Sequence, residues 1–114
     1  MATILIVEDE KEYRDILTET LKKAGYGVLT ADNGESALSV ISMHSVDLIV
    51  ADLVMPKMDG STFLYYVRDR LKGVPIIILT NLTTTALPEM DYEYLVKANT
   101  NLEDLVKKIE AKLK

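Results

Sequence analysis

The chain has 114 residues, 48% of them apolar and 27% charged, which is typical of a single globular domain. A net charge of −5 disfavours binding to nucleic acid or to an anionic membrane surface, and the absence of cysteine excludes disulfides and zinc–thiolate sites. We therefore expect one cytoplasmic domain over residues 1–114, without a targeting segment, a linker or a second domain.

Three apolar runs predict strands that are covered on both faces. Residues 4–7, 48–51 and 76–79 contain only Ile, Leu, Val and Ala, with no polar alternation. Such runs are typical of a parallel sheet. Residues 27–30 and 94–96 are weaker strand candidates.

Helical patterns lie between the strands. Asp9 is expected to cap the first helix and Gly25 to end it, and Asn33 is expected to cap the second. The last helix is predicted to begin at Thr100, where Glu103 completes a capping box. The apolar stripes of the first, third and last helices are Tyr13, Ile16, Leu17, Leu21 and Ala24; Phe63, Leu64, Val67 and Leu71; and Leu102, Leu105, Val106, Ile109 and Leu113.

The segment between the fourth and fifth strands has little room for a helix. Only 16 residues separate Thr80 from Lys97. The strand needs about 5 of them, and a helix of mean length needs about 11–12. Residues 81–88, N-L-T-T-T-A-L-P, also disfavour a helix. We predict that this fourth helix is absent or reduced to about one turn.

The order of elements predicts an α/β fold with a doubly wound, flavodoxin-like sheet of five parallel strands in the order 2-1-3-4-5. Polar residues follow the strands: Glu8 and Asp9 the first, Asp52 the third, Thr80 the fourth and Lys97 the fifth. Because the carboxyl ends of parallel strands share one edge, these side chains are expected to meet in the crevice at the switch point.

The chemistry of these residues favours phosphoryl transfer onto a carboxylate. Three carboxylates, Glu8, Asp9 and Asp52, would repel one another, so at least one should have a raised pKa. Mg²⁺ would relieve the repulsion, since it prefers oxygen ligands and often shares phosphate oxygens. Lys97 adds a positive charge and Thr80 a hydroxyl that can donate to an oxyanion.

Four motifs resemble those of response-regulator receiver domains of the chemotaxis type. Residues 52–60, D-L-V-M-P-K-M-D-G, resemble the signature D-x-x-M-P-x-M-D-G. Residues 7–10 (V-E-D-E), 79–80 (L-T) and 94–97 (Y-L-V-K) resemble the acidic, threonine and aromatic–lysine motifs of that family. They occur in the right order, on the right elements, over nearly the whole chain.

The resemblance implies a role for each matching residue. Asp52 would accept the phosphoryl group, and Asp9 would bind Mg²⁺ directly, with Glu8 acting through water and the Val54 carbonyl as a further ligand. Lys97 would pair with the phosphoryl group. Thr80 would move to bond it, and Tyr94 would turn inward in step.

The implied partners are a sensor histidine kinase or phosphotransfer protein as donor and a downstream protein as target. The domain would catalyse its own phosphorylation and dephosphorylation and would not turn over a separate substrate.

Three residues depart from the family pattern. Glu8 stands where the family usually has Asp, which keeps the charge, so we expect metal binding to survive. Ala98 stands where the family has a cis Pro; we predict a trans Lys97–Ala98 bond, because a non-proline cis bond costs about 2.5–4 kcal/mol. Asn81 is bulkier than the usual residue and is expected to narrow access to Asp52.

Three alternatives compete with the phospho-acceptor hypothesis. A pseudo-receiver would keep the fold as a binding module without phosphorylation. An aspartate phosphohydrolase commonly has a second Asp two residues after the nucleophile, where this chain has Val54. A flavin-binding module would need Gly, Ser and Thr after the first strand, where this chain has three acids.

Overall fold

Five parallel strands form the sheet in the computed structural model, which describes residues 1–52, 60–80 and 93–114. The strands lie in the order β2-β1-β3-β4-β5, and each neighbouring pair is parallel. The predicted sheet and strand order are therefore confirmed. The strands are β1 (Thr3–Val7), β2 (Gly27–Ala31), β3 (Leu48–Ala51), β4 (Ile76–Thr80) and β5 (Glu93–Val96).

Helices cover both faces of this sheet. Among the described residues they are α1 (Lys11–Lys23), α2 (Gly34–Met43), α3 (Gly60–Arg70) and α4 (Leu102–Leu113), with a 3₁₀ turn at Lys97–Asn99. In the parts of the chain that are described, every helix is too short or too polar to cross a bilayer.

The predicted loss of a helix between β4 and β5 has no support from the structure. A fourth helix is present, namely α4, which follows β5 as the sequence predicts for the last helix. The segment in question, residues 81–92, lies outside the described residues.

Two apolar clusters pack on opposite faces of the sheet. In β1, Leu5 and Val7 belong to the first cluster and Ile4 and Ile6 to the second, as the alternation of side chains along a strand requires. Buried side chains of α2 and α3 complete the first cluster, and those of α1 and α4 complete the second. This two-sided burial explains why the strand sequences are continuously apolar.

Two predicted helix boundaries are confirmed. The side chain of Asn33 accepts a hydrogen bond from the backbone N–H of Ser36 at 2.8 Å, which caps α2. Gly25 has a φ of 97°, and the N–H of Tyr26 donates to the carbonyl of Leu21 at 3.1 Å. This hydrogen bond belongs to the Schellman arrangement, in which glycine tolerates the left-handed backbone that ends the helix.

The predicted caps of the other two helices are wrong. The residue that precedes α1 is Glu10, not Asp9, and its side chain makes no capping bond. Asn101 caps α4 by accepting from the N–H of Asp104 at 2.8 Å. Thr100 lies one residue before this cap, and its hydroxyl donates to the carbonyl of Val96, also at 2.8 Å.

The outer part of the predicted α1 stripe is also wrong. Leu17 and Leu21 are buried in the second cluster, but Ala24 is exposed and Ile16 has an exposed fraction of 48%. The helix therefore buries a narrower face than the spacing suggests.

Candidate functional site

The hydrogen bonds of β1 continue past its last residue and place two carboxylates at the same edge of the sheet. The backbone N–H of Glu8 donates to the carbonyl of Ala31 at 3.0 Å. The N–H of Asp52 donates to the carbonyl of Val7, also at 3.0 Å. Glu8 and Asp52 thus follow neighbouring strands at the switch point, where such sheets bind ligands.

Three acidic side chains meet at this point. Glu8, Asp9 and Asp52 each offer a carboxylate oxygen, and these oxygens lie within 4.8 Å of one another. Glu8 has an exposed fraction of 2% and Asp52 of 7%, whereas Asp9 is exposed. The predicted convergence of these acids is confirmed. Because Asp9 does not cap α1, its carboxylate remains available on the open side of the group.

Lys97 lies between the two buried acids. Its Nζ donates to Oδ2 of Asp52 at 2.7 Å and forms an ion pair with Oε1 of Glu8. The Lys97–Ala98 peptide bond is trans, as predicted, because none of the described peptide bonds is cis. The lysine therefore reaches the acids from the start of a 3₁₀ turn, without a proline after it.

Burial dominates the electrostatics of the carboxylate on the first strand. Loss of solvent raises the pKa of Glu8, although the hydrogen bonds from Lys97 and from the Glu10 N–H act to lower it. The sequence predicts a raised pKa from mutual repulsion, but the charge of Asp52 is the smallest contribution. The direction is confirmed, and its main cause is desolvation.

The lysine is held in its charged form. Burial acts to lower the pKa of Lys97, but hydrogen bonds to Asp52 and Glu8 outweigh it and the pKa is raised. This ammonium balances only part of the acidic charge, because it contacts two carboxylates and a third lies within 4.8 Å of them. The remaining negative charge and the hard oxygen donors suit a divalent cation such as Mg²⁺. Val54, the further predicted ligand, lies outside the described residues.

Thr80 and Tyr94 lie on the strands next to this cluster. Thr80 ends β4, is buried and is paired in register with Val96, the residue before Lys97. Tyr94 is half-buried on β5, and its ring packs against the first apolar cluster. The movement predicted for these two residues stays a prediction. Asn81, which is expected to narrow access to Asp52, lies outside the described residues.

Two residues of α1 that the sequence analysis did not assign to the site contact it. The ring centroid of Tyr13 is 4.7 Å from Nζ of Lys97. Arg14 Nη1 donates to the backbone carbonyl of Glu8 at 2.8 Å. Tyr13 was interpreted only as part of an apolar stripe. Its position four residues after Asp9, on the first turn of a helix that begins at the site, is a signal that could have identified it.

Comparisons with known proteins agree with this site. A family model described as the response regulator receiver domain matches residues 4–110. Over 101 residues, 84% of this chain, the sequence is 32% identical to the response regulator protein FleR of Pseudomonas aeruginosa. Over 81 residues, 71% of this chain, it is 40% identical to the transcriptional regulatory protein CusR of Escherichia coli. The matched regions span only 21% and 36% of those two relatives.

Solved structures match over the full length of the domain. The response regulator TrrA of Thermotoga maritima, solved with Mg²⁺-BeF, has a TM-score of 0.89 at 34% identity and covers 99% of this chain and 100% of its own. The chemotaxis response regulator CheY4 of Vibrio cholerae has a TM-score of 0.88 at 34% identity, with 99% of both chains covered. The chain belongs to the response regulator receiver domain family.

Proposed function

We propose that this receiver domain, residues 1–114, takes a phosphoryl group onto Asp52 in a Mg²⁺-dependent reaction and thereby changes its binding of partner proteins. The donor is a phosphohistidine of a sensor histidine kinase or of a phosphotransfer protein. The observation that carries the proposal is the contact of Asp52 Oδ2 with Lys97 Nζ at 2.7 Å, beside the carboxylates of Glu8 and Asp9.

The proposed reaction moves one phosphoryl group between two side chains. The bond from the donor nitrogen to phosphorus breaks while a bond forms from a carboxylate oxygen of Asp52 to phosphorus. Charge is then spread over the three equatorial phosphoryl oxygens. The ammonium of Lys97 exchanges a carboxylate oxygen for one of these oxygens, and the hydroxyl of Thr80 donates to another. Hydrolysis of the acyl phosphate returns Asp52 to a carboxylate.

The acids hold the metal in this proposal. Asp9 and Asp52 would bind Mg²⁺ directly, Glu8 would act through a water molecule, and the carbonyl of Val54 would be a further ligand. Mg²⁺ supplies neutralising charge for the incoming phosphoryl group. The longer side chain of Glu8 reaches Lys97 and the N–H of Glu10, so it fits an indirect role.

The proposed switch runs along β4 and β5. Thr80 bonds the phosphoryl group, and Tyr94 turns inward in step, which changes the surface offered to a downstream protein. The half-buried position of Tyr94 against the first apolar cluster supports this proposal, since the ring has an apolar surface to turn into.

The proposal is tested by incubating the protein with acetyl phosphate and Mg²⁺ and measuring its intact mass. We expect the gain of one phosphoryl group, which requires Mg²⁺ and is absent from Asp52→Ala. Asp15→Ala is the matched control, because Asp15 is an exposed carboxylate paired with Lys11 on α1. No gain in the folded protein, or an unchanged gain in Asp52→Ala, would contradict the proposal and favour a pseudo-receiver.

A further inference from the structure

We infer that Tyr13 is a positioning residue for Lys97, and that its aromatic face holds the ammonium in place while the oxygens around it change. This inference rests on the proposed function and goes beyond it. Tyr13 lies on the first turn of α1, four residues after Asp9, with its ring half-buried. The 4.7 Å from Lys97 Nζ to the ring centroid is within the about 6 Å range of a cation–π interaction.

Among the described residues, the other contacts of the Lys97 ammonium involve the reacting groups. Lys97 Nζ contacts the carboxylates of Asp52 and Glu8, which are also the oxygens proposed to face the metal and the phosphoryl group. Lys97 must therefore exchange one of these oxygens for a phosphoryl oxygen during each cycle. The ring of Tyr13 takes no part in that exchange, so it can hold the ammonium both before and after transfer.

The backbone around Lys97 increases the importance of contacts at the end of its side chain. Lys97 begins a single 3₁₀ turn, and the next two residues, Ala98 and Asn99, are exposed. A lysine side chain is a flexible four-carbon stem, so its direction depends on what holds the ammonium. The side chain is nevertheless only 13% exposed. The ring supplies a second, uncharged surface that keeps it there.

Beryllofluoride, a phosphoryl mimic, tests this inference by calorimetric titration of the full chain with Mg²⁺ present. Tyr13→Leu removes the aromatic face but keeps an apolar side chain, and we expect about threefold to tenfold weaker binding. Tyr13→Phe keeps the face and is expected to bind within about twofold of the unmodified protein. Binding of Mg²⁺ alone should change in neither variant, because neither substitution alters the charge of the site.

Tyr26→Leu is the matched control for lost packing. Tyr26 is also half-buried against the second apolar cluster, but it lies beyond the opposite end of α1. Its removal should lower stability and leave beryllofluoride affinity unchanged. Proton NMR separates positioning from packing. The ε-methylene protons of Lys97 should show an upfield ring-current shift that persists when beryllofluoride is bound. This shift should remain in Tyr13→Phe and disappear in Tyr13→Leu.

Two results would overturn the inference while the proposed function stands. One is unchanged beryllofluoride affinity in Tyr13→Leu, and the other is loss of the ring-current shift when the unmodified protein binds the mimic. Failure of the unmodified protein to bind beryllofluoride would instead overturn the proposed function, and this inference with it.

Discussion

Two of the glutamates that the structure pairs with lysine, Glu8 and Glu93, respond in opposite ways. Glu8 shares Lys97 with Asp52, is almost fully buried, and has a raised pKa because burial disfavours its charge. Glu93, at the start of β5, has two lysines of α4 within 3.3 Å, Lys108 and Lys112. Its pKa is lowered, chiefly by the hydrogen bond from Lys108.

Burial is the main cause of this difference in pKa, and the number of ammonium groups at each glutamate adds to it. At the strand edge Glu8 and Asp52 share one ammonium beside a third carboxylate, whereas Glu93 contacts two ammonium groups and has a side chain that is 30% exposed. The Glu93 group, which consists of Glu93, Lys108 and Lys112, is therefore an ion-pair link between β5 and α4 without excess negative charge. The Glu8 group, which consists of Glu8, Asp9, Asp52 and Lys97, has excess negative charge and is suited to bind a further cation. Contact with a lysine alone does not distinguish a structural ion pair from a functional site.

The largest expected effect comes from removing one lysine from each group. Lys97→Ala should slow phosphorylation by acetyl phosphate about 100-fold, since it removes a charge placed to stabilise the transferring group. Lys108→Ala should leave the rate unchanged, because Lys108 contacts only the Glu93 group among the described partners. Quenched time courses measured by intact mass give both rates. An equal loss of phosphorylation rate in Lys97→Ala and Lys108→Ala would show that the Glu8 and Glu93 groups do not differ in function.

Lys97→Ala should also bind Mg²⁺ more tightly than the unmodified protein. Lys97 and the metal compete for the same carboxylates, so removing the ammonium should raise Mg²⁺ affinity about tenfold. Calorimetric titration of Mg²⁺ into Lys97→Ala and Lys108→Ala measures this difference. Weaker Mg²⁺ binding in Lys97→Ala would show that the lysine organises the acids instead of competing for them.

Neutral isosteres of the two glutamates should change stability in opposite directions. In metal-free buffer, Glu8→Gln should raise the free energy of unfolding by about 0.5–2 kcal/mol, since a buried charge that is only partly compensated is removed. Glu93→Gln should lower it by about 0.5–1 kcal/mol, as expected for loss of a partly exposed ion pair. Urea unfolding measures both. Destabilisation by Glu8→Gln would show that its bond to Lys97 outweighs the cost of burial.

The smallest expected effect is the pH dependence of these two changes in the free energy of unfolding. Glu93 has a lowered pKa in the folded state, so its stabilising contribution is present above its ordinary value of 4.5 and is lost as the pH falls through the folded value. Glu8 has a raised pKa, so stability falls as the pH rises from 4.5 through its folded value.

Unfolding series between pH 4 and 7 test these signs. We expect the deficit of Glu93→Gln to shrink on acidification by about 0.5 kcal/mol and the advantage of Glu8→Gln also to shrink. A difference that is constant with pH for either variant would mean that its pKa is the same in the folded and unfolded states.

The sheet and the acidic site were predictable because their signals are local in sequence. Continuous apolar runs identify strands buried on both faces, and in a parallel sheet the first polar residue after each strand must lie at the common edge. Glu8, Asp52 and Lys97 follow from that rule without knowledge of any side-chain geometry.

What the sequence did not reveal depends on contacts between distant elements. Lys108 and Lys112 of α4 pair with Glu93, and no spacing rule in the sequence connects them to it. Tyr13 fits an apolar stripe equally well whether it packs in a core or against Lys97. The capping box predicted at Thr100 failed because the next residue, Asn101, caps the helix instead.

The anchoring of β1 makes the site depend on the number of residues in that strand. Thr3 is anchored at one end, where its N–H donates to Oδ2 of Asp47 at 2.7 Å, and Glu8 is held at the other by the carbonyl of Ala31. Inserting one residue between these anchors would move Val7 into the place of Glu8 and reverse which side chains face each layer of the core. An insertion in β1 would thus replace an acid in the pocket with a hydrocarbon while every acidic residue remained in the sequence.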